Sequence, residues 1–599
     1  MADQNTSINE RLEALRAQMS RYRIGAVIIP NTDAHHSEYV ADHFKQCAWI
    51  SGFTGSNATV VVTRTEARLW TDSRYFLQAG IQLHGSEFTL MKEGLADAPS
   101  IEEWLSTELQ MDDVLAIDGT LFSVEEANRL EEFCLMNGYR FATDFAPFDQ
   151  IWEGRPQLPQ EPVFIHGEEY AGESAQSKIS RVLESIALKD ADAILLSALD
   201  EIAWLLNLRC SDIAYTPVAI SFVYLSEQQK ALFIDTDKVT DEVAQYLKRL
   251  GFDVLPYERI VKYLGKLDSM LNVQVDAKVV SDTLCRAMAC GKIFSPSPIA
   301  LMKAVKNETQ IKGTRSAMEK DGVALVKAFK WLEQNVAEQT ITEMSFNDKL
   351  IECRREQPLF MGDSFAMIAG YGEHGAIVHY TATETSNATL RADGMLLVDT
   401  GAQFLDGTTD ITRTVFLGET PSPEQRHDYT LVLKGHIAIA TQQFPRGTNG
   451  SQLDVLARQF LWNEDLTYLH GTGHGVGHFL GVHEGPQGIR LNYMPTPLSP
   501  GMITSNEPGL YRTGKYGIRI ENLTLVQPSS QSEEFGEFYR FETLSLFPFE
   551  RKLIDASMLT PKELDWVNAY HKTVYDRLSP YLDAEEQVWL LDKTSEIKQ

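Results

Sequence analysis

Positive charge, paired cysteines and long apolar runs are what this chain is short of. Its 54 lysines and arginines stand against 83 aspartates and glutamates, a net charge of −29 over 599 residues. A surface of that sign repels polyanions, so nucleic acid and anionic membrane are excluded as partners. No stretch approaches the ~18 apolar residues of a membrane span, and the opening MADQNTSINERLEALRAQM lacks the apolar run of a signal peptide. The six cysteines, Cys47, Cys134, Cys210, Cys285, Cys290 and Cys353, never fall in C-x-x-C spacing. In a chain this large they read as reduced thiols, against a disulfide framework and for a cytoplasmic protein.

What is present is an ordinary globular composition, 43% apolar and 23% charged, long enough for about three or four domains. Proline-bearing stretches at WEGRPQLPQEP and FSPSPIA divide it into segments 1–155, 156–305 and 306–599, the last with a carboxy-terminal extension at 536–599. The first two segments echo each other. WISGFTGSNATVVVT followed by ARLWTDSRYF matches WLLNLRCSDIAYTPV followed by KALFIDTDKV in order and spacing, an aromatic-led run, a turn, a β-branched strand and a second strand ending in T-D. Duplicated α/β units are expected. Helix starts are predicted at the capping box Ser7 to Glu10, at Asn307 with Gln310, and at Thr560 with Pro561 and Glu563. The last of these carries an apolar stripe of Leu564, Val567, Val574 and Leu578, suited to packing or subunit contact.

HGTGHGVGH, at 470–478, sets His470, His474 and His478 four residues apart among four glycines. Each glycine would cost a helix about 1 kcal/mol relative to alanine, so a helix is not expected. The phosphate-cradle register fails because Val476 holds the place of the third glycine. As a strand or turn, the stretch would point its histidines to one face and let another backbone approach.

Isolated acids elsewhere answer those histidines. MLLVDTGAQFLDGTTDITRTVFLG reads as two strands with Asp399 in the first and Asp410 in the second, and SNEPGLYRTGKYGIRIENLTLV repeats the arrangement with Glu507 and Glu521. A turn centred on Gly514 puts Glu507 opposite Glu521, so something positive must sit between them. The Asp406-Gly407 turn signal instead pairs Asp410 with Gln403, and joining the two aspartates needs a bulge or a displaced turn. Four carboxylates and an imidazole without thiolates suit Mn²⁺, Co²⁺, Fe²⁺ or Zn²⁺ in a non-structural site. Their charge balances two divalent ions with a bridging hydroxide as nucleophile.

These residues, in their VDTG, DITRT, GTGHGVG, NEPG and RIEN contexts, resemble the metal set of the pita-bread metallopeptidases. DAHHSEYV, SGFTGSNA, WTDSRYFLQA, LDEIAWLLNLR and RFETLSLFPF extend the likeness over nearly the whole chain, to the three-domain cytosolic X-prolyl aminopeptidase group. The resemblance implies an α/β (α+β) architecture, two creatinase-type amino-terminal α/β domains followed by a pita-bread catalytic domain. It implies a homodimeric cytoplasmic enzyme that removes the first residue from Xaa-Pro-Xaa peptides with two divalent ions per subunit, Mn²⁺ foremost. Asp399 would hold one ion, Asp410 and Glu521 would bridge, and His474 with Glu507 would complete the other. Glu507 would also shuttle a proton. His379 and His483 would serve catalysis from the substrate side, His470 would line the site, and Arg74 would contact peptide, reaching a neighbouring subunit's site. Tyr511 and Arg519 match further substrate-binding positions. His478 has no counterpart and is read as structural. Ser73 and Cys210 depart from the group's usual glycines, outside the metal set. The alternatives are a prolidase, restricted to Xaa-Pro dipeptides, and more remotely a non-catalytic binding module of the same fold. A creatinase-type hydrolase lacks the metal set.

Overall fold

The computed structural model describes residues 7–95 and 97–598. The first six residues, part of the stretch without a signal-peptide run, lie outside them. Two compact units result, one running to Gly167 and from Glu173 to Ile299, the other formed by Glu168–Gly172 and the chain from Ala300 onward.

The first unit contains two six-stranded sheets. In the first, the spatial order is Phe88–Lys92, Ala67–Thr71, Thr59–Thr63, Ala26–Pro30, Val114–Ala116, Arg140–Ala142. In the second it is Asp253–Pro256, Lys230–Ile234, Ser221–Ser226, Ala193–Leu196, Asn272–Val275, Gly291–Phe294. Counted along the chain, both sheets have the same order and the same directions, two antiparallel pairings followed outward by a parallel one on one side and two parallel ones on the other. Central strands such as Ser221–Ser226 are buried at every residue, the pattern of strands covered on both faces. The echoing tryptophans sit at matching places. Trp49 lies in helix Gln46–Ser51 and Trp204 in helix Leu199–Leu206, and each helix ends on a left-handed residue, Gly52 at φ 76° and Asn207 at φ 49°. The expected β-branched strand is displaced in the second copy. WLLNLRCSDIAYTPV holds only the short strand Leu208–Arg209, and the counterpart of Thr59–Thr63 is Ser221–Ser226 further on.

The second unit opens on the helix Glu308–Asn335, started by the reciprocal cap of Asn307 and Gln310. The tail helix Pro561–Leu578 starts on Thr560 and Glu563 in the same way. Its Val567, Val574 and Leu578 are buried in one core with Leu325, Phe329 and Leu332 of the long helix. The tail therefore closes the core of this unit.

Two antiparallel arms carry the acids. In the first, Met395–Thr400 pairs with Ile411–Phe416, Asp399 facing Thr412. Its tip, Ala402–Phe404 with Gly407–Thr408, belongs to another small sheet with Phe360–Asp363. Gln403 faces Thr408, so the turn is centred on Leu405 and Asp406, and the register that would set Asp410 against Gln403 is not the one adopted. By strand parity Asp410 then shares a face with Asp399. In the second arm, Gly509 faces Arg519 and Asn506 faces Asn522. That is the register of a turn centred on Gly514, and it continues through the break that holds Glu507 and Glu521.

Candidate metal centre

Three of the four acids stand where strands are interrupted. Asp410 lies between Gly407–Thr408 and Ile411–Phe416, Glu507 between Ile503–Asn506 and Gly509–Arg512, and Glu521 between Tyr516–Arg519 and Asn522–Ser532. The register is the same on both sides of each break, so the acids keep the face that strand parity gives them. The Asp410 carbonyl accepts from Ser545 Oγ at 3.1 Å, Glu507 N–H donates to the Thr472 carbonyl at 2.8 Å, and Glu521 N–H donates to the Thr412 carbonyl at 3.1 Å.

The glycine-rich stretch contributes one strand of two residues, Gly473–His474, paired with Gly488–Ile489. It is not an extended strand with three histidines on one face. His474 Nε2 lies 3.4 Å from Asp410 Oδ2 and 3.5 Å from Glu507 Oε1. Its Nδ1 faces the Gly475 carbonyl at 2.9 Å and must donate there, which leaves Nε2 for the acids' side. His478 turns away, with its ring near Thr314 and the Tyr170 carbonyl. The glycines serve the protein's own packing: a Cβ on Gly473 would overlap the Ser505 carbonyl, and one on Gly475 the Glu484 carbonyl. A buried network anchors the stretch. Arg458 donates to Asp454 and to the carbonyls of Tyr468 and His470, and Thr472 Oγ1 donates to Asp454.

Donor atoms of Asp410, His474 and Glu521 lie within 4.8 Å of one another. Asp399 Oδ1 and Asp410 Oδ1 are buried without any hydrogen-bond partner, a costly state for a carboxylate unless a cation meets it. Burial pushes the Glu521 carboxyl well above its ordinary range, with Asp410, Glu507 and Asp399 adding to the effect. Asp399 and Glu507 are raised by burial too, though Arg519 opposes this for both and His474 for Glu507. Burial disfavours a charged His474, yet Asp410 and Glu507 outweigh it and raise its pKa to about 9. Acids pushed up and an imidazole held positive describe a place with too much negative charge for its burial, and the donor set fits divalent cations.

A second network borders the acids. Arg519, 1% exposed, donates to Asp399 Oδ2 at 2.5 Å and to Tyr511 OH at 2.7 Å. Because His470 Nδ1 faces the Gly471 carbonyl, its Nε2 is the acceptor and Tyr511 donates to it at 2.8 Å. Thr412 Oγ1 donates to Glu521 at 2.7 Å and so links the two arms. The ring of His483 stands edge-on to that of His474, centroids 4.4 Å apart. His379 is half-buried beside Tyr380, which belongs to a small core against which Ile377 and Tyr511 pack. Arg74, in the first unit, clasps Asp72 through two hydrogen bonds at 2.9 and 2.7 Å.

Sequence reasoning missed several supports. Glu484, next to His483, is buried 3.1 Å from Lys303 and 3.7 Å from Lys306, whose pKa burial lowers to about 8 against the pull of Glu484. Glu343 is buried behind the His379 segment. Nothing in the local pattern of LMKAVKNE or TEMS marks these residues, since only the fold brings their partners to them. For Thr412 a signal existed: it lies inside the DITRT stretch that carries Asp410.

Residues 312–528 match the model of metallopeptidase family M24, and 537–597 match that of the C-terminal region of the same peptidases. Residues 11–153 and 154–310 each match a creatinase/prolidase N-terminal domain model. The chain is 40% identical to a probable Xaa-Pro aminopeptidase P of Sordaria macrospora, across 98% of its own length and 99% of that protein's. It is 40% identical to aminopeptidase P2 of Arabidopsis thaliana, across 98% and 88%. The crystal structure of the X-prolyl aminopeptidase of Caenorhabditis elegans, described as a cytosolic enzyme with a di-nuclear active site, superposes with a TM-score of 0.95 at 34% identity, covering 99% of this chain and 100% of that one. An Xaa-Pro dipeptidase from Bacillus anthracis shares the fold over 63% of this chain and 99% of its own, at 22% identity and a TM-score of 0.50.

Proposed function

The chain belongs to metallopeptidase family M24, and from that premise we propose that it is a metal-dependent aminopeptidase releasing the first residue of Xaa-Pro-Xaa peptides. The observation that carries the reading is the convergence of Asp410, His474 and Glu521, with Glu507 3.5 Å from His474 and buried oxygens of Asp399 and Asp410 left unpartnered, in a chain alike to Xaa-Pro aminopeptidases along nearly its whole length. The prolidase alternative is dropped, because the relatives alike to this chain along nearly its whole length are Xaa-Pro aminopeptidases.

Asp399 would hold one ion, Asp410 and Glu521 both, and His474 with Glu507 the other. When bound, a pair of divalent cations acidifies a water to serve as nucleophile and polarises the scissile carbonyl. Manganese is our choice among hard-to-borderline ions for an oxygen-rich donor set. The chain's own residues do the rest. Glu507 takes and returns the proton, His483 beside His474 and His379 hydrogen-bond the carbonyl oxygen as charge develops on it, and His470 with Tyr511 and Arg519 bounds the substrate side. Arg519 acts there chiefly through Asp399 and Tyr511, its two charged-strength contacts. The Xaa-Pro bond has no N–H to offer a strand-reading peptidase, so recognition rests on the ring and on the free amino terminus, which an acidic site favours. We assign segments 1–155, 156–305 and 306–599 to two accessory domains and the catalytic domain, and place the protein in the cytoplasm as a homodimer in which Arg74 reaches the neighbouring subunit's peptide. No helix among the described residues is long and apolar enough to cross a membrane.

The test is metal analysis coupled to hydrolysis of matched Xaa-Pro-Xaa and Xaa-Pro peptides. Two ions per chain and cleavage of the longer peptide are expected. Cleavage of the dipeptide alone, or of neither by metal-loaded protein, rejects the reading.

A further inference from the structure

The arc of chain that bears His379 has little regular structure. It leaves strand Ile368–Tyr371, makes the short 3-10 turn Gly372–Ala376 and runs without further helix or strand to Met395. A group meant to meet a carbonyl oxygen cannot stand on a loose arc, because a misplacement of about 1 Å can cost on the order of 100-fold in rate.

One buried carboxylate gathers this arc. Glu343, at the first turn of helix Glu343–Arg355, is fully buried. Its Oε1 accepts from the Tyr371 N–H and from His374 Nδ1, both at 2.9 Å. Its Oε2 accepts from Tyr380 OH and from the Ala388 N–H, both at 2.8 Å. A carboxylate has about four acceptor sites, and donors before, within and after the His379 stretch occupy them. The same helix start stitches the far end of the arc: Glu343 N–H donates to the Ala388 carbonyl at 3.0 Å, Met344 N–H to Asn387 Oδ1 at 3.1 Å, and Asn387 Nδ2 to Thr342 Oγ1 at 3.1 Å. The negative side chain at a helix N-terminus is also favoured by the helix dipole.

The arc in turn rests on the wall of the metal centre. His374 stacks on Tyr380 with centroids 4.5 Å apart, and Tyr380 belongs to a small core against which Ile377 and Tyr511 pack, Tyr511 being the residue that joins Arg519 to His470. Gly375 lies against the strand that ends in Arg519, so close that a Cβ on Gly517 would overlap the Gly375 carbonyl.

We propose that Glu343 is a positioning residue of this enzyme: one buried carboxylate, by collecting Tyr371, His374, Tyr380 and Ala388, fixes the arc on which His379 meets the substrate. The proposal rests on the substrate-side role given to His379 above. Glu343 touches neither substrate nor metal and acts through the arc alone. All four of its partners are donors, so Glu343→Gln is a sharp probe. The amide has one acceptor oxygen, and its NH₂ confronts two hydrogens at nearly unchanged volume.

The experiment uses the full chain loaded with Mn²⁺ and the tripeptide Gly-Pro-Ala, with hydrogen exchange followed in parallel. For Glu343→Gln, kcat is expected to fall about 100-fold with KM changed less than about threefold, metal content unchanged, and amide exchange faster across 371–388 than elsewhere. Tyr380→Phe, which removes one donor and keeps the charge, is expected to give a smaller loss of the same kind, and it decides the matter if Glu343→Gln does not fold. Wild-type kcat in these variants, or a loss of activity that tracks lost metal or uniformly faster exchange, overturns the proposal. If wild-type protein leaves the tripeptide intact, the functional reading fails and exchange alone judges the anchor. If wild type and Glu343→Gln cut it equally well, the function stands and the positioning role falls.

Discussion

The two acid-bearing arms of the catalytic unit look alike in sequence and are built by different means. In the second, Gly514 stands at φ 73° with open space where a side chain would be, and its conformation sets a register that carries down to Asn506 and Asn522. In the first, Gly407 serves the neighbouring helix. A Cβ there would lie 3.0 Å from Thr314 Cα and 3.1 Å from Ala317 Cβ, and Asp406 accepts from Lys320 of that helix at 2.5 Å. An Asp-Gly dipeptide usually advertises a hairpin turn. Here it advertises a helix pressed against a strand tip, and the turn falls one residue earlier. A glycine therefore reports a constraint without saying whether the constraint is a dihedral angle or a neighbour.

The strongest test concerns what the arms share. Asp410 comes from the first and Glu521 from the second, and each is proposed to bridge the ions. Either residue changed to alanine is expected to lower kcat at least about 1000-fold, because several kcal/mol of charge stabilisation is lost. Kinetics on metal-analysed variants measure this, and near-normal turnover in one arm's variant would break the symmetry assigned to them.

Swapping the glycines sharpens the contrast itself. Gly407→Ala should cost about 1 to 3 kcal/mol through overpacking, with no relief from asparagine. Gly514→Ala should cost about 1 to 2 kcal/mol of backbone strain, and Gly514→Asn should recover part of it because asparagine tolerates the left-handed region. Urea unfolding of the four variants decides, and relief by asparagine at position 407 would contradict the packing account.

An effect of similar size is set by pH. His436 clamps the second arm: its Nδ1 donates to the Asn506 carbonyl at 3.0 Å and its Nε2 accepts from Asn522 at 3.1 Å, an arrangement open only to neutral imidazole. Burial, aided by Arg413, lowers its pKa to about 3. Below about pH 6.5 the unfolded chain binds a proton that the folded chain refuses, so this contribution is complete above that pH and is lost as pH falls toward 3. About 2 kcal/mol should disappear between pH 7 and pH 5 from this residue. His436→Gln should flatten the pH dependence of urea unfolding by that amount, and an unchanged slope would place the titration elsewhere. His571, also lowered to about 3 by burial and by Arg413, adds a similar slope that this variant leaves in place.

Much was legible without coordinates because it is written in local chemistry. Helix caps at Ser7, Asn307 and Thr560 are short-range exchanges of hydrogen bonds that need no tertiary partner. Asp399 after MLLV and Glu521 within RIEN stood out as charges in apolar surroundings, where an unpaired carboxylate is expensive. HGTGHGVGH was legible only in part. Its glycines announced close backbone approach, but the approaching carbonyls belong to Ser505 and Glu484 of the protein itself, and the face that His478 joins depends on Tyr170, some three hundred residues away.

By itself, then, the sequence determined which residues could not be content alone: acids among aliphatics, an imidazole among glycines, caps waiting for their helices. Tertiary structure decided who would answer them. It set the turn of the first arm against a helix, sent His478 away from the acids, and placed Glu343 and Glu484 behind segments that never mention them. The reason is the range of the forces involved. Caps and turn angles are settled within a few residues, whereas burying a charge commits distant parts of the chain to supply its partner.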